Sequence, residues 1–106
     1  IFDDDPPFEF ESLVDAFALA AAYPNPTAGP TTLQVALPEA SAVTLGVYDV
    51  LGRRVATLVD RELAAGTHTV RWDGRSTTGA QVGSGVYFVR MRAGDFTTTR
   101  RLMLVK

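Results

Sequence analysis

The chain has 106 residues and a formal net charge of −2, with 46% hydrophobic and 21% charged residues. This length and composition suit one globular domain built on a single hydrophobic core. The absence of cysteine excludes disulfide bonds, thiolate metal sites and a thiol nucleophile. No apolar run approaches the ~20 residues of a membrane-spanning helix, so we expect a chain that does not span the membrane.

The charges are distributed unevenly along the chain. Residues 1–52 carry eight acidic side chains and no Lys or Arg, whereas residues 53–106 carry ten basic side chains and four acidic ones. This pattern is typical of a solvated acidic linker beside a mildly basic domain. It also allows a basic face that binds an anionic partner such as lipopolysaccharide. Because the arginines are scattered along predicted strands and no recognition helix is visible, we expect no nucleic-acid partner.

Residues 1–16 are predicted to be an acidic, proline-containing linker that follows an upstream domain. Their Asp and Pro residues favour an extended, solvated chain. Residues 10–21 also fit a helical stripe, but Phe17, Leu19, Ala21 and Tyr23 alternate as in a strand. We favour a strand over residues 17–23. Since the chain neither begins with Met nor carries a signal-peptide pattern, we interpret it as a fragment whose signal peptide would lie upstream.

The rest of the sequence alternates short apolar-periodic runs with turn residues. Three prolines between Tyr23 and Pro30 predict a rigid, ordered turn. We predict further strands over residues 31–37, 42–48, 53–59, 67–72, 86–92 and 96–105. A Gly94-Asp95 hairpin turn precedes the last of them. Seven short strands in about 100 residues predict an all-β fold, an immunoglobulin-like β-sandwich of about seven antiparallel strands.

Two aromatic residues are predicted to belong to the core. Trp72 is the single tryptophan and lies on the same strand face as Val70. The ring of Tyr87 should point inward, with its hydroxyl bonded near a strand end because a buried phenol needs a hydrogen-bond partner. Phe88 alternates with Tyr87 and is the best outward-facing aromatic residue.

The sequence contains few candidates for catalytic or metal-binding residues. His68 has no companions for a metal site. Gly83-Ser84-Gly85 lacks the strand–turn–helix context of a serine hydrolase. Most acidic residues lie in the linker or in turns, where they cap backbone rather than pair as glycosidase carboxylates. We therefore expect no enzyme, with no catalytic, cofactor-binding or metal-binding residues.

Five short motifs follow one another along residues 17–106. They are Tyr23-Pro24-Asn25-Pro26-Thr27, Val47-Tyr48-Asp49-Val50-Leu51-Gly52-Arg53-Arg54-Val55, Gly66-Thr67-His68-Thr69-Val70-Arg71-Trp72-Asp73-Gly74, Ser84-Gly85-Val86-Tyr87-Phe88-Val89-Arg90 and Arg101-Leu102-Met103-Leu104-Val105-Lys106. In these motifs the chain resembles the type A C-terminal sorting domains of the type IX secretion system, which are related to the immunoglobulin-like domain of flagellar hook-capping proteins. The motif positions that carry the resemblance are Tyr23, Pro24, Asn25, Pro26, Tyr48, Asp49, Gly52, Arg53, Gly85 and Tyr87.

Each motif also has a local structural interpretation. The Pro-Asn-Pro segment would position the entry of the chain into the domain. The run from Tyr48 to Arg53 would form a strand, a tight turn and the start of the next strand, with Gly52 free to adopt positive φ. Gly85 would leave room beside Tyr87.

The resemblance implies a non-catalytic signal that directs an upstream cargo protein across the outer membrane. Its partners would be the outer-membrane translocon and a sortase-like protease, with a cut between Asp3 and Asp15 and transfer of the cargo to anionic lipopolysaccharide. The residues expected to face the translocon are Arg90, Arg92, Arg100, Arg101 and Lys106. The protein would pass through the periplasm and reach the cell surface or the medium.

Two other functions remain open at the level of sequence. One is a structural interaction module like the hook-capping domain. The other is an accessory carbohydrate-binding module, for which an outward-facing aromatic residue such as Phe88 would be suitable.

Overall fold

The computed structural model describes residues 16–106 as an all-β domain in which those residues form no helix. Its strands are β1 (Ala18–Leu19), β2 (Thr31–Leu37), β3 (Ser41–Tyr48), β4 (Arg54–Leu63), β5 (Gly66–Trp72), β6 (Gly85–Ala93) and β7 (Phe96–Leu104). One sheet has the order β1-β2-β5 and the other β4-β3-β6-β7, with every named pair antiparallel. The predicted immunoglobulin-like sandwich of about seven antiparallel strands is confirmed.

The core lies between the two sheets and follows the predicted alternation. Successive side chains of a strand point to opposite faces, so one apolar face per strand is enough to fill the interior. The largest fully buried side chains are Trp72, Leu19, Leu33, Leu37, Leu45, Met91, Leu102, Leu104, Val35, Val43, Val47 and Val89. Burying one such side chain stabilises the fold by about 1.5–3 kcal/mol.

The first strand is shorter than predicted, and its alternation changes phase. Leu19 faces Val35, whereas Tyr23 faces Thr32, so the first segment has one residue more than its partner between these two points. This extra residue is a bulge, which reverses the faces of the residues that follow. As a result Ala22 is buried and Tyr23 is 79% exposed, in contrast to the alternation predicted over residues 17–23.

Strand β4 also differs from its prediction. It begins one residue later than expected and continues to Leu63 rather than residue 59. Its register against β3 shifts twice, after Leu45 and after Val47. The two bulges leave Val55 and Leu58 unpaired, and the buried residues of β4 are consequently Ala56, Val59 and Leu63 instead of a period-two series.

The aromatic predictions are confirmed. Trp72 is buried and its indole N–H donates to the Arg75 carbonyl at 2.8 Å. Tyr87 is also buried, and its hydroxyl donates to the Gly83 carbonyl at 2.7 Å. Burial, followed by the nearby Asp49 charge, raises the pKa of Tyr87. The two rings meet edge to face at a centroid distance of 5.8 Å. Together they tie the loop between β5 and β6 to the core.

Candidate functional site

The Pro-Asn-Pro segment closes part of the free edge of β7. The Asn25 side-chain amide donates to the Arg101 carbonyl at 3.0 Å, and its oxygen accepts the Met103 N–H at 2.9 Å. Thr27 continues the pairing, because its N–H donates to the Met103 carbonyl and its carbonyl accepts the Val105 N–H. An unpaired edge strand is a template for non-specific association. The segment therefore acts as an edge clamp, a name used below for residues 24–27.

Side-chain hydroxyls hold the edge clamp in place. Thr27 is buried, and its Oγ1 donates to the Pro30 carbonyl at 2.8 Å and accepts the Gly29 N–H at 3.1 Å. The Thr31 hydroxyl donates to the Pro24 carbonyl at 2.7 Å. Both prolines of the segment follow cis peptide bonds. The hydrogen bonds of this segment confirm the predicted ordered turn, and they show that its partner is β7, which the sequence did not reveal.

Asp49 organises the turn between β3 and β4. Its Oδ1 accepts the backbone N–H groups of Leu51 and Arg53, and its Oδ2 accepts the Arg53 Nε–H at 2.9 Å. The pKa of the Asp49 carboxyl lies below its ordinary value of 3.8, chiefly because the carboxylate accepts the hydrogen bond from the backbone N–H of Arg53. Gly52 completes the turn at a φ of 82°. The predicted strand, tight turn and strand are confirmed, and the turn presents Val50 and Leu51 to solvent.

Gly85 serves a different purpose from the one predicted. A Cβ atom built at this position would meet no atom within 4 Å, so the residue does not make room for Tyr87. Its φ of 153° is rarely adopted by residues with a side chain. Glycine is favoured there by the backbone conformation that begins β6.

The basic residues expected to form one recognition surface lie in different places. Arg90, Arg92 and Arg101 are exposed on the outer face of the four-stranded sheet. Arg100 has the opposite phase, and its Nε donates to the Leu19 carbonyl at 2.7 Å, which ties β7 to β1. Lys106 is exposed, and its backbone N–H donates to Ser84 Oγ at 3.0 Å.

Strand register places further residues on the same outer face. Tyr48 pairs with Arg54 on one side and Phe88 on the other, and Phe88 pairs with Arg101. A Cβ atom added to Gly46, the position that pairs with Arg90, would lie 3.2 Å from the Tyr48 ring and 3.4 Å from the Arg54 stem. We call this surface the arginine–aromatic face. Its members are Tyr48, Arg54, Phe88, Arg90, Arg92 and Arg101.

A shallow groove of about 340 Å³ lies at one end of this face. The groove runs between the turn residues Asp49, Val50 and Gly52 and the side chains of Tyr48, Phe88, Arg90 and Thr99. Among residues 16–106 the only ion pair joins Arg53 to Asp49, so the arginines of the face have no carboxylate partner in the part of the chain described. The face is a cationic surface with an apolar centre.

The described residues contain few elements of catalysis. His68 is half-buried on the Val70 side of β5, and its Nε2 donates to the Ala64 carbonyl at 2.7 Å. No group of three His, Cys, Asp or Glu side chains within residues 16–106 is placed to hold a metal ion. The same range contains no helix long and apolar enough to cross a membrane. The predicted cleavage region between Asp3 and Asp15 lies outside the described residues.

The sheet order, the buried Trp72 and the Tyr87–Gly83 bond define an immunoglobulin-like domain. The family model of the FlgD Ig-like domain matches residues 23–95, and the chain belongs to this family. The basal-body rod modification proteins FlgD of Salmonella typhimurium and Salmonella typhi are each 43% identical over 56 residues, 53% of this chain and 24% of theirs. The chain therefore spans about a quarter of the length of these curated relatives.

Three solved structures share the fold. Dimeric latent PorU from Porphyromonas gingivalis superposes with a TM-score of 0.68 at 20% identity, over 87% of this chain and 10% of that one. PorZ of the same organism superposes with a TM-score of 0.54 at 23% identity, over 90% of this chain and 12% of the PorZ chain. FlgD from P. aeruginosa superposes with a TM-score of 0.55 at 23% identity, over 86% of this chain and 71% of the FlgD chain. These likenesses show a common architecture.

Proposed function

We propose that residues 17–106 form a non-catalytic sorting domain that directs an upstream cargo protein across the outer membrane through the type IX secretion system. The domain is recognised while folded, by its outer surface near β7. A sortase-like protease then cuts between Asp3 and Asp15, and the cargo is attached to anionic lipopolysaccharide or released. The protein passes through the periplasm to the cell surface or medium.

The observation that carries this proposal is that the Pro-Asn-Pro motif and the C-terminal motif, far apart in sequence, form one surface at the edge of β7. The Asn25 side chain binds the backbone of Arg101 and Met103, so the edge clamp fixes the position of the last strand. The side chains of Arg101 and Lys106 remain exposed beside it. A clamped edge cannot pair freely with other strands, and it presents the charged side chains in a defined geometry.

The solved relatives are consistent with a module attached to a larger protein. The matched part is 10% of the PorU chain and 12% of the PorZ chain. PorZ is described as an essential bacterial surface component of the type-IX secretion system. These proteins share only the fold with our chain, so they support the proposal by analogy.

The test is a gain of transport. Residues 1–106 are fused to the C-terminus of a fluorescent protein that carries a periplasmic export signal, in a host with the type IX system. We expect fluorescence at the surface or in the medium, and none there when the domain is omitted or when the host lacks the translocon. Periplasmic retention of the intact, folded fusion in the competent host would refute the proposal.

Deleting Arg101–Lys106 is not a suitable variant for this test. The deletion removes Leu102 and Leu104, which are fully buried, together with the groups that bind Asn25. Loss of two core leucines costs several kcal/mol, on the order of 2–5 kcal/mol each. Point substitutions of exposed side chains separate recognition from folding.

A second candidate function is an interaction module in an assembly, as in a hook-capping protein. It is favoured by the 43% identity to the FlgD proteins over 56 residues. In this case the domain would pack on a neighbouring subunit and the fusion above would stay in the periplasm. Co-purification of the intact protein with a flagellar or other repeated subunit would support this alternative.

A further inference from the structure

The N-terminal segment of the chain is chemically complementary to the arginine–aromatic face. Residues 1–15 contain six acidic side chains, no basic one, and three phenylalanines. The acidic residues are Asp3, Asp4, Asp5, Glu9, Glu11 and Asp15, and the phenylalanines are Phe2, Phe8 and Phe10. The face offers four arginines around two aromatic rings. The two surfaces thus match in both charge and apolar character.

The described domain balances the charge of these arginines only in part. Arg90, Arg92 and Arg101 lie on adjacent strands β6 and β7, where their positive potentials add. Asp60 lies in the same row as Arg92, and Glu62 lies two residues further along β4 on the same face, but neither carboxylate forms an ion pair with an arginine among residues 16–106. The groove beside Phe88 has a volume of about 340 Å³, which is enough in volume for an aromatic side chain.

The acidic segment is tethered within reach of this face. Phe17 stacks on Phe96, the first residue of β7, at a centroid distance of 5.5 Å. Fifteen residues in extended form span up to roughly 50 Å. The row from Arg54 to Arg101 crosses three strand spacings, roughly 14 Å. A tether of this length gives an effective concentration in the millimolar range, on the order of 1 mM or more.

We propose that residues 1–15 dock on the arginine–aromatic face of their own chain, with acidic side chains on the arginines and a phenylalanine in the groove beside Phe88. Exposed ion pairs are individually weak, about 0–1 kcal/mol. Docking is therefore reversible and sensitive to salt, and the segment stays available to a protease. The inference does not depend on the sorting function, because it concerns only this chain.

A nitroxide label tests this contact in the full chain. The sequence has no native cysteine, so Ser12→Cys provides a single attachment site. At about 0.01 M salt, where the screening length is about 30 Å, we expect NMR line broadening at the amides of Arg90 and Thr99. The amides of Thr67 and Thr69, on β5 of the other sheet and not paired with β1, serve as the internal reference. At about 1 M salt, where that length is about 3 Å, the excess broadening should disappear.

Variants assign the contact to the arginines. Arg90→Gln with Arg101→Gln should abolish the excess broadening, whereas Arg71→Gln, on the outer face of the other sheet, should preserve it. A dispersed spectrum identifies the folded variants. Equal broadening on both sheets of the wild-type chain would overturn the proposal. So would broadening that arises only between separate chains, seen when a labelled chain is mixed with an isotopically enriched, unlabelled one.

Discussion

Individual residues in the motifs have structural roles that differ from one neighbour to the next. Asp49 accepts three hydrogen bonds within one turn, while Val50 and Leu51 beside it point to solvent. Arg100 holds β1 through the Leu19 carbonyl, while Arg101 is exposed on the outer face. Neighbouring residues of the same type therefore cannot be given a common function.

The Asp49 turn should loosen in acid. Its folded-state pKa lies below the ordinary value of 3.8, so its stabilising effect is present above that pH and is lost as the pH falls through the folded pKa. We expect the amide proton shifts of Leu51 and Arg53 to titrate with an inflection below 3.8, and Asp49→Asn to remove that inflection. An inflection above 3.8 in the wild-type protein would contradict this account.

Adjacent arginines should differ in their effect on stability. Arg100→Gln removes a charge-assisted bond to a partly buried carbonyl, and we expect it to lower the free energy of unfolding by about 1–2 kcal/mol. Arg101→Gln changes an exposed side chain and should stay within about 0.5 kcal/mol of the wild type. Urea unfolding measures both. Equal losses in the two variants would show that the Arg100–Leu19 bond contributes nothing specific.

At the scale of elements, the sequence predicted the features that depend on a single strand and missed those that depend on which strands pair. The core faces of β2, β3 and β6 follow from alternation within each strand, which the sequence displays. The bulges of β4 and of the first segment depend on which strand pairs with them, so no local pattern reveals them. Asn25 is separated from Arg101 by 76 positions, so no local pattern in the sequence could predict the edge clamp either.

The arginine–aromatic face shows the same limit. Alternation along β6 was enough to place Phe88 and Arg90 together on its outer side. The addition of Tyr48, Arg54 and Arg101 required the register of three strand pairs.

The hydrogen bonds of the edge clamp should contribute to the stability of β7. Asn25→Ala removes two hydrogen bonds, and we expect a loss of about 1–2 kcal/mol in unfolding free energy. Asn25→Asp keeps the acceptor for the Met103 N–H but loses the donor to Arg101, so it should give an intermediate loss. Amide exchange of Met103 should accelerate in the alanine variant. Unchanged protection at Met103 would mean that Thr27 alone closes the edge.

At the scale of the whole molecule, the described residues form a small sandwich in which two sheets enclose one apolar core. Its distinctive features lie outside the core: a clamped last strand, an apolar turn tip and a cationic face. The family assignment fixes the architecture, while function has to be argued from these surfaces.

The most direct test of the sorting proposal asks whether export depends on the exposed charged side chains of the folded domain. In the fluorescent fusion, Arg101→Gln with Lys106→Gln is compared with Arg61→Gln and Arg71→Gln, which removes the same charge from exposed positions elsewhere. Both variants are first shown to unfold at wild-type urea concentrations. We predict periplasmic retention of the first variant and normal export of the second. Equal export of the two would contradict recognition through the surface around β7.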